Sequence, residues 1–282
     1  MSIVQAIVIG IVQGLTEFLP ISSTAHLKIV PALLGWPDPG PAFSAVIQWG
    51  TLVAALAYFR ADIARLTKAM LGDLRQMRCC TSPDSRLAWM IVLGTVPIVI
   101  CGIVFKRLIE EDLRSLYVMS GALIGLALLL AAGEAWYAGR QRAGKPFKHV
   151  DEMSWLDAMT VGVAQAIALI PGVSRSGVTI LGGIFRGMNR ADAARYSFLL
   201  SLPAIFAAGV FELKTQWPEL TRSNMAVANL VAASIAAAVV GYASIAFLLH
   251  FLKHHSTWVF IIYRLILGAL ILALLNAGRL QA

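Results

Sequence analysis

Long apolar runs dominate the chain, and six of them have the length of a membrane-spanning helix. A transmembrane helix needs about 20 mostly apolar residues to cross the hydrocarbon core of a bilayer. Runs of that kind lie at 42–59, 88–105, 115–138, 192–212, 226–251 and 257–276. The pattern therefore predicts six transmembrane helices.

Two further apolar stretches are interrupted by a proline: GIVQGLTEFLPISSTAHL at 10–27 and GVAQAIALIPGVSRSG at 162–177. Pro20 and Pro171 each remove a backbone donor and clash with the preceding turn, so each stretch should bend or break there. The resulting halves of about 10 to 15 residues are too short to cross separately. We therefore predict a re-entrant helix pair in each place. Broken backbone at membrane depth is tolerated only where protein or a water-filled cavity satisfies it, which indicates a lined pocket.

Each half of the chain contains one broken stretch followed by three spans, which is the pattern of a repeat. The local match pairs Gly10, Gln13, Pro20 and Ser23 with Gly162, Gln165, Pro171 and Ser174, with a one-residue offset between glutamine and proline. Three spans is an odd number, so the second copy must be inverted, which places the site at the midplane between the copies. The predicted parts are a first repeat at 1–138 with its re-entrant pair at 1–34, a basic cytoplasmic linker at 139–154, and a second repeat at 155–282 with its re-entrant pair at 155–185. The predicted fold class is an all-α polytopic membrane protein with an inverted-topology repeat.

The distribution of basic residues predicts the orientation of this fold. One side receives the loops at 60–87, 139–157, 186–195 and 252–256, which together carry twice as many Lys and Arg residues as the other side. The positive-inside rule then places both termini outside. The first re-entrant pair would enter from the outside and the second from the cytoplasm, so that their tips meet.

Composition agrees with a bilayer as the solvent. Hydrophobic residues make up 59% of the 282 residues and charged residues only 13%, which excludes an ordinary soluble domain. The net charge of +8 fits contact with anionic membrane lipids and needs no nucleic-acid partner. The first residues have neither a basic segment nor a small-residue cleavage site, so we do not expect a removable signal peptide.

Titratable side chains are scarce in the two broken stretches. Glu17 and His26 are the only ones between residues 1 and 27, and Arg175 is the only charged residue between 160 and 185. Charge is costly inside a bilayer, so such residues are by default candidates for a functional site. Arg264 lies about half a helix inside the last span, and here we expect the side chain to snorkel to the cytoplasmic surface.

The first broken stretch collects groups suited to acid–base and nucleophilic chemistry. Gln13 and Glu17 are four residues apart and share a helix face. After Pro20, Ser22 is a plausible N-cap, and Ser23 and His26 follow on the opening turns of the next half-helix. A serine with a histidine and a carboxylate nearby provides a nucleophile, its base and an orienting group.

The second broken stretch has the features of an anion site. The turn GVSRSG at 172–177 combines glycines for close backbone approach, two serine hydroxyls, and the Arg175 guanidinium, which can fork onto phosphate oxygens. A helix N-terminus adds backbone N–H donors. Two anion sites that meet at one point indicate a diphosphate ligand.

These motifs resemble a known family, the undecaprenyl-diphosphate phosphatases of the bacitracin-resistance type. The resemblance rests on QGLTEFLPISSTAH and PGVSRSG, and extends to AVIQWGTLVA at 45–54 and IIYRLILG at 261–268. It implies removal of the terminal phosphate from the C55 isoprenyl diphosphate at the outer face of the bacterial plasma (inner) membrane, with Mg or Ca assisting. That activity recycles the cell-wall lipid carrier and confers bacitracin resistance.

Carried over residue by residue, the resemblance makes Glu17, Ser23, His26 and Arg175 the catalytic core. The predicted phosphate-binding residues are Ser22, Ser174, Arg175, Ser176, Gly172 and Gly177. The predicted supporting residues are Gln13, Thr24, Gln48 and Gln165. Glu17 and Gln13 are the predicted metal ligands, although Gln13 stands where the family can have Glu, and this weakens any scheme that needs two carboxylates.

Several alternatives stay open at this point. Ser23 is favoured as the nucleophile over water or His26, with Glu17 or His26 as its base. A lipid flippase or transporter could use the same inverted-repeat site, since broken helices are a transporter feature. The oligomeric state is also open, a homodimer included.

Overall fold

The computed structural model describes residues 1–109, 113–221 and 223–280, and in these residues the elements are helices joined by loops, with no strand. The α-helices are α1 Ile3–Phe18, α2 Ser23–Leu34, α3 Gly40–Tyr58, α4 Arg60–Arg75, α5 Pro83–Val104, α6 Leu116–Arg142, α7 Trp155–Ile167, α8 Arg175–Phe185, α9 Arg190–Leu220, α10 Asn224–His254 and α11 Trp258–Asn276. A 3-10 helix at Val150–Glu152 lies in the predicted linker. The last two residues of the predicted second repeat, 281 and 282, lie outside the described residues.

The six predicted spans correspond to α3, α5, α6, α9, α10 and α11. Five of these helices are long and apolar enough to cross a bilayer alone, and α3 qualifies together with α4 as a pair bent by 78°. The chain is therefore an all-α polytopic membrane protein, as predicted.

Helix α4 is an element that the apolar pattern does not reveal, because its residues look like part of a basic loop. Its inner face carries Leu66, which is buried, and Ile63 and Met70, which pack against the main core. Its C-terminal end is tied to α5 through Asp73, which accepts hydrogen bonds from the Ser85 and Thr81 hydroxyls. These bonds hold the pKa of the Asp73 carboxyl below its usual range.

The two proline-containing stretches are broken helices, as expected. The first breaks between α1 and α2 and the second between α7 and α8. These four helices have 16, 12, 13 and 11 residues. At 1.5 Å per residue even the longest spans only about 24 Å, short of the roughly 30 Å hydrocarbon core.

The halves of the chain pack crosswise. Helix α1 packs against α10 and α7 packs against α5, while α3 contacts α9 and α6 contacts α11. Matched glycines make the closest approaches: a Cβ added to Gly10 would lie 2.2 Å from the Ala233 carbonyl oxygen, and one added to Gly162 would lie 2.4 Å from that of Gly94. The division into two repeats stays a prediction, which this pairing favours.

One detail of the sequence match changes in the structure. Ser22 and Ser174, rather than Ser23 and Ser174, occupy equivalent positions, because each is the N-cap of the second half-helix. Their spacing along the chain equals that of Gln13 and Gln165, so the prolines alone are out of register.

Candidate active site

Glu17 is the centre of the polar cluster at the first break. It lies in the last turn of α1 and is only 7% exposed. Its Oε2 atom accepts hydrogen bonds from Gln13 Nε2 at 2.9 Å and from Ser23 Oγ at 2.8 Å. The structure thus brings together three of the predicted residues, with the Ser23 hydroxyl donating directly to the carboxylate.

Arg175, the first residue of α8, joins the second break to this cluster. Its guanidinium pairs with Glu17 Oε1, and both side chains are largely buried. The two tips therefore meet through an ion pair between residues that are far apart in the sequence.

The two cap serines have closely similar conformations. Ser22 has φ 77° and ψ 100°, and Ser174 has φ 73° and ψ 112°. Positive φ at a non-glycine residue costs on the order of 1–3 kcal/mol and often marks a functional site. The Ser22 hydroxyl accepts from the Ala25 N–H, and the Ser174 hydroxyl accepts from the Gly177 N–H, so each caps its helix.

Hydroxyls two residues further on hold the tips together. Thr24 Oγ1 lies 3.1 Å from Ser22 Oγ and accepts from the Gly172 N–H at 3.1 Å. Ser176 Oγ lies 3.2 Å from Ser174 Oγ and donates to the Leu19 carbonyl at 3.1 Å. These hydroxyls cross-link the two turns.

The predicted phosphate-binding glycines are packed against α6. Gly172 has φ 95°, and a Cβ there would lie 2.6 Å from the Met119 carbonyl oxygen. A Cβ at Gly177 would lie 3.0 Å from a methyl group of Leu126. Gly172 in particular is required by both its backbone conformation and its close approach to α6.

His26 is turned away from Ser23. Its Nδ1 lies 2.7 Å from the Ser22 carbonyl oxygen, to which it donates, and its Nε2 lies 2.6 Å from the Tyr263 hydroxyl. Both ring nitrogens are therefore engaged elsewhere, and the hydrogen bond of the Ser23 hydroxyl goes to Glu17. The geometry favours Glu17 over His26 as the base for Ser23, and gives His26 a role in holding the cap turn.

The expectation that Arg264 snorkels to the surface is wrong. Its side chain is fully buried, and the guanidinium donates to backbone carbonyls of both breaks, Pro20 at 3.2 Å and Gly172 at 3.1 Å. It also donates to Leu123 and Ala122 of α6, each at 3.1 Å. The carbonyls freed by the broken helices thus have a charged partner. The sequence contains a sign of this role, because a charged residue midway along an apolar span indicates a functional position.

A cavity of about 550 Å³ opens from the cluster. Its polar end is lined by Glu17, Ser22, Ser23, Thr24, Gln48, Ser174 and Arg175. Its wall is mostly apolar, with Ile98, Val99, Gly102 and Ile103 from α5 and Ala204, Ala207, Ala208 and Phe211 from α9, although Lys106 and Glu212 also line it. A cavity that is polar at one end, where Arg175 and the starts of two helices lie, and mostly apolar along its wall suits an amphipathic ligand.

The predicted supporting glutamines lie in different surroundings. Gln48 lines the cavity. The Gln13 side-chain oxygen is buried without a hydrogen-bond partner, and so are both amide atoms of Gln165.

Among the described residues no three His, Cys, Asp or Glu side chains group together as metal ligands. A cation would therefore need oxygen donors from elsewhere, such as a ligand.

Comparison with known proteins identifies the family. The family model for bacitracin resistance protein BacA matches residues 6–270. The chain is 56% identical to an undecaprenyl-diphosphatase of Chloroherpeton thalassium over the full length of both proteins. It is 56% identical to that of Chlorobium phaeovibrioides and 54% identical to that of Chlorobaculum tepidum, each over 99% of both chains. The chain therefore belongs to the bacitracin resistance protein BacA family.

Proposed function

We propose that this protein hydrolyses undecaprenyl diphosphate to undecaprenyl phosphate and inorganic phosphate. The observation that carries the proposal is the meeting of Glu17, at the end of α1, with Ser23 and Arg175, the first residues of α2 and α8, at the polar end of a cavity whose wall is mostly apolar. The names of its full-length relatives support the same substrate. The activity would recycle the lipid carrier of cell-wall synthesis and so confer bacitracin resistance.

Binding would use charge and backbone donors together. Arg175 and the N–H groups in the first turns of α2 and α8 would hold the two phosphates, because helix N-termini favour anions and guanidinium forks onto phosphate oxygens. The isoprenyl chain would lie along the apolar wall. The Glu17–Arg175 pair positions both side chains before the substrate arrives.

We favour Ser23 as the nucleophile because its hydroxyl already donates to Glu17. The Oγ atom would bond to the terminal phosphorus while the bond from phosphorus to the bridging oxygen breaks, and the hydroxyl proton would pass to Glu17. Undecaprenyl phosphate would leave. Water would then break the Oγ–P bond, its oxygen joining phosphorus, and Glu17 would return the proton to Ser23. Preorganised cationic donors stabilise the charge of the transferred phosphoryl group.

A divalent cation, Mg or Ca, fits the residues present. The Gln13 side-chain oxygen is buried without a partner, and the amide that carries it contacts Glu17 through its nitrogen. Gln13 and Glu17 would therefore hold a cation whose remaining ligands are substrate oxygens and water. When bound, the cation would neutralise negative charge on the phosphates.

Orientation is also part of the proposal. We infer from the basic loops that both termini lie outside and that the site opens to the outer face of the plasma membrane.

Phosphate release by the purified protein in detergent tests the activity. The protein should release phosphate from an isoprenyl diphosphate and none from the matching monophosphate, whereas a pure flippase or transporter would bind the diphosphate and release none. With a terminal-phosphate label, rapid acid quenching should trap label on the wild-type protein. Ser23→Ala should trap none and lose activity, and Ser44→Ala, an α3 hydroxyl bonded to the Gly40 carbonyl, should behave as the wild type. Full turnover in Ser23→Ala would show that water, and not Ser23, attacks the phosphorus.

A further inference from the structure

A second groove lies along the bend between α3 and α4 and shares no lining residue with the active-site cavity. It encloses about 700 Å³ and is lined by Leu56, Arg60, Ile63, Ala64, Thr67, Lys68, Leu71, Gly72 and Arg75. The helix residues recur every three or four positions, so they form one stripe along α4. Nothing in the proposed reaction uses this stripe.

The groove is cationic and contains no carboxylate. Arg60, Lys68 and Arg75 are exposed, and in the described part of the chain none of them makes an ion pair. The two acidic residues of α4 are engaged elsewhere. Asp62 pairs with Arg65 and Arg195, and Asp73 accepts from Thr81 and Ser85. The local charge is therefore uncompensated by protein.

Apart from Thr67, the remainder of the lining is apolar, and several of these side chains are exposed. Leu56 and Leu71 are each more than 40% exposed, and Val53, one turn before Leu56 on α3, is 54% exposed. Helix α4 turns from α3 by 78°. With α3 crossing the bilayer, as its apolar run predicts, this turn directs α4 along the membrane surface. An amphipathic helix with basic residues in that position lies at the headgroup level.

We propose that this groove is a binding site for an anionic glycerophospholipid. The headgroup phosphate would contact the cations of the α4 stripe, and an acyl chain would run along α3 past Leu56 and Val53. Gly72 leaves room for the headgroup, since a Cβ there would meet nothing within 4 Å. A free phosphate would use the cations and leave the apolar lining exposed, so a lipid fits the groove better.

Native mass spectrometry of the detergent-purified protein tests this site, with phosphatidylglycerol and phosphatidylcholine of identical chains as probes. The wild type should bind its first phosphatidylglycerol more tightly than phosphatidylcholine by up to about a hundredfold, since three basic residues near an anionic headgroup each contribute on the order of a factor of five. The variant Arg60→Gln, Lys68→Gln, Arg75→Gln should lose most of that preference. Gly72→Leu should weaken phosphatidylglycerol binding with no change of charge.

The matched control removes two arginines and one lysine outside the groove, Arg78→Gln, Arg142→Gln and Lys145→Gln, and should keep the preference. Equal losses in both triple variants would show a general charge effect and overturn the site. Displacement of the lipid by millimolar inorganic phosphate would show that the groove is a simple anion site. Tighter binding of undecaprenyl phosphate than of phosphatidylglycerol would show that the groove binds the reaction product. Detergent melting of each variant confirms that it is folded.

Discussion

Glu17 is the residue on which both broken segments converge. It accepts from Gln13 and Ser23 in its own segment and pairs with Arg175 in the other. A buried carboxylate with three donors is held in one position, which a base needs if it is to take a proton from a fixed hydroxyl. The three donors therefore matter to the proposed role of Glu17 as a base as much as its carboxylate does.

Replacing Glu17 by Gln should lower phosphate release at least about a hundredfold, the usual scale for loss of an acid or base. The isostere keeps the shape of the side chain but cannot accept the Ser23 proton. The steady-state rate of phosphate release is the measurement, with Glu152→Gln, a carboxylate in the 150–152 turn, as the control. Near-normal turnover of the variant would remove Glu17 from the mechanism.

Arg175→Lys keeps the positive charge but loses the planar fork, so much of the activity should be lost. Arg175→Ala should cost more, because the charge of the transferred phosphoryl group would then lack its main cationic partner. Specific activity should be compared with the detergent melting temperature, and Arg142→Lys serves as a surface control. If Arg175 only held the two segments together, both variants would melt earlier and keep their activity per folded molecule.

At the scale of elements, the sequence predicts what depends on local pattern. Run length and apolarity predict the spans, Pro20 and Pro171 predict the breaks, and the serine after the first proline predicts the start of α2. The pattern does not predict helix α4, because its apolar positions are separated by basic ones and resemble a loop. The partners of His26 and Arg264 could not be predicted, because Tyr263, Pro20 and Gly172 come close only through tertiary packing.

Arg264 connects three elements, so its replacement should affect geometry more than binding chemistry. Arg264→Gln leaves carbonyls of Pro20 and Gly172 without a partner, each at a cost of about 1–3 kcal/mol. We expect a lower melting temperature and a lower kcat, with Arg264→Lys intermediate in both. Arg279→Lys, an exposed arginine beyond the end of α11, should change neither. A kcat that stays normal in folded Arg264→Gln would show that the carbonyls need no such partner.

At the scale of the whole molecule, crosswise packing explains why the site lies between the halves. Helix α1 packs against α10 and α7 packs against α5, so the first half-helix of each broken segment is supported by a span from the other half. The tips then face one another, and the ion pair and hydroxyl bonds between them close the contact. Neither half would form the cluster alone.

The orientation of this assembly in the membrane is the last prediction. In a variant without Cys79, Cys80 and Cys101, single cysteines at Ser2 and at Gly278 should react with an impermeant thiol reagent in intact cells. A cysteine at Gly144, in the basic linker region, should react only after the cells are opened. All three positions are exposed, so differences in labelling report the side of the membrane rather than burial. The reverse pattern would place the first broken segment on the cytoplasmic side, and the substrate would then have to reach the cavity from the inner leaflet.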